Sequence, residues 1–116
     1  MGKIAIVLLS GKENPARALS GLHVAQRIYE ARKENEIEDV EVFLFTEGLR
    51  IVGEPASELA HLLNELVEAG IVVGGCINQL NSWNLADEAK VAGIHAEFAR
   101  DAFSRYARDG YTVMTF

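Results

Sequence analysis

The chain is 116 residues long, 49% hydrophobic and 24% charged, so residues 1–116 are read as one ordinary globular domain around a single core. No apolar run approaches the ~18 residues needed to cross a bilayer, and Met1-Gly2-Lys3 runs straight into strand-like sequence, which argues against a signal peptide and a membrane role. A net charge of −6, with 11 scattered Lys and Arg and one cysteine, excludes a basic nucleic-acid surface and an internal disulfide, and fits a reducing cytoplasm.

Ile4 to Leu9 is a continuous apolar run, as expected of a strand covered on both faces. Ser10 to Pro15 is a loop, with Pro15 suited to the first position of a helix. That helix places Leu22, Ala25, Ile28 and Tyr29 on one side and ends in the charges Arg32-Lys33-Glu34. Val40 to Phe45 reads as the second strand, closed by Thr46-Glu47-Gly48. Pro55 then opens a helix whose Leu59, Leu62, Leu63, Leu66 and Val67 follow the helical template, with Gly70 as its C-terminal cap. Ile71 to Val73 is the third strand, leading through Gly74-Gly75 to Cys76.

Beyond Cys76 the segment Asn78 to Asn84 is amide-rich, Ala86 to Ala92 has the length of a short helix, and Gly93 to Ala96 that of a brief fourth strand. Phe98, Ala99, Ala102, Phe103 and Tyr106 form a helical stripe stopped by Gly110, and Tyr111 to Phe116 is a final strand. Strands alternating with amphipathic helices predict an α/β fold. The architecture is a three-layer, mostly parallel sheet of four to five strands with flavodoxin-like topology. The loops after the first three strands then share one edge, so Lys12, Glu47 and Cys76 are expected to face a common crevice.

Cys76 is the residue on which function turns. Reacting groups in such sheets collect at the carboxyl ends of the strands, and the two preceding glycines leave room for a close approach by a substrate or another backbone. A thiol reacts as its thiolate; Lys12, or a helical turn beginning near Ile77, would favour that form. The plain alternative is a buried cysteine that only fills space. Asn78 and its neighbouring amides would line a pocket beside the thiol, or else satisfy their own loop. Glu47 would serve as a general base, or simply as turn chemistry. Trp83 reads as core or subunit interface.

Other chemistries find no motif. His23, His61 and His95 lie on three elements without metal-ligand spacing, so no metal is expected. Neither a Walker loop nor GxGxxG follows the first strand, and Ser10 is the only hydroxyl residue available for a flavin phosphate loop. No cofactor is expected.

The order of these pieces resembles the DsrE/DsrF-like family, which has the YchN-like fold and includes sulfur-relay subunits. The resemblance runs through Lys3 to Leu9, Gly21-Leu22-His23-Val24-Ala25, Val40 to Phe45 with Glu47-Gly48, Gly70 to Val73 with Cys76, and Thr112 to Phe116. It implies that Cys76 accepts a sulfur atom as a persulfide and exchanges it with a donor or acceptor protein, acting as a sulfur-carrier subunit. It also implies a homotrimer or hexamer. The segment Ile77 to Asn84 departs from the pattern of relay subunits. The competing reading is a non-catalytic homo-oligomer of the same fold that binds a small ligand or a protein.

Overall fold

The computed structural model describes residues 1–116. Five strands, β1 (Gly2–Leu8), β2 (Ile37–Leu44), β3 (Val72–Cys76), β4 (His95–Glu97) and β5 (Tyr111–Thr115), form one sheet in the order β4-β3-β2-β1-β5. Every pairing is parallel, so the carboxyl ends of all five strands lie along one edge. Helices α1 (Pro15–Glu30), α2 (Glu58–Ala69), α3 (Ile77–Ser82), α4 (Ala86–Val91) and α5 (Ala99–Arg108) connect them. No helix is long and apolar enough to cross a membrane.

Helices lie on both faces of the sheet. On α1, Gly21 sits so close to Leu8 and Phe116 that a Cβ would stand 2.8 Å from each. The α5 face is aromatic: Phe103 meets Phe43 at 5.4 Å and Phe45 at 5.7 Å, both edge-on. Such pairs add about 0.5–1.5 kcal/mol to plain burial. On α2 the buried Leu59, Leu62, Leu63 and Leu66 each contribute about 1.5–3 kcal/mol.

Local chemistry sets the element boundaries. Pro15 does occupy the start of α1, behind Asn14, whose side chain accepts from the Arg17 amide. Pro55, in contrast, does not open α2. Ser57 caps that helix by accepting from the Ala60 amide at 3.1 Å, because a hydroxyl satisfies a free first-turn N–H that proline cannot. Gly70 ends it at φ 103°, a left-handed conformation that glycine adopts without strain.

The loop expected after β2 is instead a 3-10 helix, Thr46–Gly53. Leu49, Ile51 and Val52 are buried along it, and Gly48 lets the chain cross against the Leu8 carbonyl, where a Cβ would collide with it. The third strand is also longer than Ile71 to Val73. Gly74, Gly75 and Cys76 stay in the ladder, paired with Phe43 and Leu44 on one side and with His95, Ala96 and Glu97 on the other.

Candidate functional site

β3 delivers Cys76 to the carboxyl edge of the sheet, where it is the residue immediately before α3. The residue is 4% exposed, yet it forms part of the wall of an open cavity of about 510 Å³. Phe45, Asn78, Gln79, Phe98, Ala99 and Arg100 complete that wall. Four elements meet there: the end of β2, the end of β3, the first turn of α3 and the start of α5. Two aromatic rings, two amides and one guanidinium are among the groups that line it.

The space left by the two glycines is not substrate space. A Cβ on Gly75 would stand 2.8 Å from Leu49 and 3.2 Å from Ile94, and one on Gly74 would be 3.0 Å from Phe43. Core side chains occupy the room that the sequence offered to a ligand, because close-packed interiors leave few voids. The ligand-sized space lies one residue further on, beside the thiol.

The single crevice expected for Lys12, Glu47 and Cys76 is divided. Lys12 lines a separate depression with Arg50 and Glu54, and its ammonium donates to Glu54 at 2.6 Å. That hydrogen bond, reinforced by the charge of Glu54, raises its pKa. Glu47 accepts from Arg50 at 3.3 Å, and Arg50 stacks on the half-buried Trp83 ring at 3.8 Å. Of the three residues proposed beside the thiol, the structure brings only Asn78 to its cavity.

Gln79 has a role that composition did not suggest. Its side-chain carbonyl accepts from the Thr46 amide at 2.7 Å, joining the helix after the thiol to the end of β2. Phe98, read as part of the helical stripe, precedes α5 and is 41% exposed at the cavity. Arg100 donates to Asp101 at 3.0 Å, which raises its pKa.

Behind the cavity lies a polar cluster that the sequence reading missed. Arg105 on α5 donates to both oxygens of Glu41 at 3.1 Å and to both oxygens of Glu97, at 3.0 and 3.3 Å. These hydrogen bonds, those to Glu97 foremost, raise the pKa of the guanidinium. Tyr106 also donates to Glu41, at 3.4 Å, and Tyr111 donates to Glu41 at 3.2 Å and to Asp39. Burial, followed by the neighbouring carboxylates, pushes both phenols well above their ordinary range. The available signal was Glu41 itself. A charge inside the apolar run Val40 to Leu44 has to find a partner.

A smaller cavity of about 280 Å³ between the 3-10 helix, α2 and α4 is lined by Val52, Leu63 and Val91, with Asp87 and Glu88 beside them. It holds no nucleophile. His23, His61 and His95 sit exposed on α1, α2 and β4, and no group of three His, Cys, Asp or Glu lies together to hold a metal ion.

A model of the DsrE/DsrF-like family matches residues 2–116. The ychN protein from E. coli has a solved structure that superposes with a TM-score of 0.74 at 18% identity, covering 100% of both chains. A protein of unknown function from Methanobacterium thermoautotrophicum gives 0.76 at 15% identity, also with 100% of both chains covered. A conserved protein of unknown function from Bacteroides thetaiotaomicron gives 0.74 at 14% identity, covering 98% of this chain and 94% of its own. At these identities the structures speak to the fold alone. No curated protein matches the chain.

Proposed function

The chain belongs to the DsrE/DsrF-like family, and from that premise we propose that it carries sulfur as a persulfide on Cys76, relaying it between partner proteins in the cytoplasm. The observation that supports this reading is the position of Cys76: it ends β3 and borders a cavity of about 510 Å³. Strand ends are where this class of sheet gathers its reacting groups.

The transfer needs no cofactor. The Cys76 thiolate attacks the outer sulfur of a donor persulfide, R–S–SH. A new sulfur–sulfur bond forms on Cys76, the donor's sulfur–sulfur bond breaks, and the donor leaves as its thiolate. An acceptor thiolate then repeats the attack on Cys76 and regenerates the starting thiolate, so electrons and protons balance over the cycle. α3 begins directly after the thiol, with Cys76 at its N-cap position. The same reading includes assembly as a homotrimer or hexamer, which would bring several such cavities into one particle.

One observation favours a second reading. Cys76 is 4% exposed, the ordinary state of a cysteine that only fills space. On that reading the protein is a non-catalytic homo-oligomer that binds a small ligand or a partner at the same cavity. Alkylation of the folded protein at neutral pH separates the two. A relay thiol reacts in the native state, whereas a space-filling one reacts only after unfolding.

A further inference from the structure

Cys76 and Glu97 are direct partners in the β3–β4 ladder, so their side chains leave the same face of the sheet, the face on which α5 lies. A free carboxylate on the adjoining ladder position opposes ionisation of the neighbouring thiol, because like charges disfavour each other. Glu97 is not free. Arg105 donates to both of its oxygens and, through the same guanidinium, to both oxygens of Glu41.

Few other charges face the thiol. Arg100 on α5 borders the cavity, Glu97 on β4 is the ladder partner of Cys76, and Arg105 on α5 is bound to Glu97. β2 offers Phe45 at the cavity, with Glu41 further back along the strand. α3 offers only the neutral Asn78 and Gln79.

We infer that Arg105 is a positioning residue for the Cys76 site. It holds the Glu97 carboxylate and offsets part of its charge, so that Glu97 opposes the neighbouring thiolate less than a free carboxylate would. The inference rests on the reading of Cys76 as the sulfur-accepting nucleophile.

The test is the pH profile of Cys76 alkylation by iodoacetamide in the folded protein. Arg105→Met frees the Glu97 charge beside the thiol and is expected to move the midpoint up by about one unit. The rate at pH 7 then falls by about tenfold. Adding Glu97→Gln to Arg105→Met removes the offending charge and returns the midpoint to its wild-type value. Arg105→Lys, which keeps a cation there, recovers most of the shift. A role in packing alone would predict no rescue by Glu97→Gln.

If Arg105→Met does not fold, Glu97→Gln alone carries the test. Its midpoint should fall below that of the wild type, and an unchanged midpoint overturns the inference. So does an unmoved midpoint in a folded Arg105→Met, or a thiol that resists alkylation in the folded wild type. A thiol that resists alkylation overturns the relay reading as well; the relay reading alone fails when the thiol alkylates with the expected charge dependence, yet takes up no sulfur from any donor.

Discussion

The Gln79 side chain accepts a hydrogen bond from the Thr46 amide at 2.7 Å, and this single contact fastens the helix after Cys76 to the end of β2. Thr46 has φ 53°, a left-handed conformation that a β-branched residue adopts only under constraint. Its hydroxyl donates within the same junction, toward the carbonyls of Leu9 at 3.0 Å and Phe45 at 2.7 Å. The wall of the thiol cavity therefore depends on hydrogen bonds rather than on packing alone.

Gln79→Ala removes that acceptor and leaves a strained backbone amide without its partner. The expected cost is about 1–2 kcal/mol of stability, read as a lower urea midpoint with an unchanged slope. Alkylation of Cys76 should become faster, because the cavity wall opens at the β2–α3 junction.

Lys12→Ala should leave the Cys76 alkylation rate unchanged. The ammonium is committed to Glu54 in a separate depression, and an exposed charge acts weakly across solvent and salt. A fall of tenfold in that rate would mean that Lys12 reaches the thiol in solution.

Stability should depend strongly on Arg105. Glu41 is 8% exposed and takes both of its ion-pair hydrogen bonds from this guanidinium. Arg105→Met strands a buried carboxylate, at an expected cost of about 3 kcal/mol in urea unfolding. Replacing Glu41 as well, in Arg105→Met/Glu41→Leu, should recover a large part of that loss, since no buried charge is then left alone.

Above about pH 10 the protein should lose stability more steeply than its composition suggests. The Tyr106 and Tyr111 hydroxyls are held protonated in the folded state beyond the pH at which they ionise in the unfolded chain. In that window the folded state binds more protons, so stability, complete below the unfolded pKa, declines as pH rises. Tyr106→Phe and Tyr111→Phe should each flatten the alkaline limb of a plot of urea midpoint against pH.

The layered α/β architecture was legible because periodicity survives in single residues. The leucines of α2 lie at helical spacing and are buried as that spacing predicts, and the run Ile4 to Leu9 reads as a two-faced strand, which ends one residue earlier, at Leu8, with Leu9 exposed. The 3-10 helix was not legible. Leu49, Ile51 and Val52 show neither helical nor strand spacing, and Gly48 is there to clear the Leu8 carbonyl, a contact made only by the fold. The division of the site has the same cause. Lys12 and Glu54, like Arg105 and Glu41, are partners far apart in sequence, and charge alone does not say which acid a base will choose. Cys76 and Asn78 were placed from the strand end, while Phe45, Gln79 and Phe98 join them only through the tertiary fold.

The most direct measurement is the intact mass of the reduced protein after incubation with a cysteine desulfurase and cysteine, with Cys76→Ala as the control. One added sulfur atom is expected on the wild-type chain, removable by reductant and absent from the variant. No added mass, on a protein whose thiol also resists alkylation until it unfolds, would contradict the relay reading.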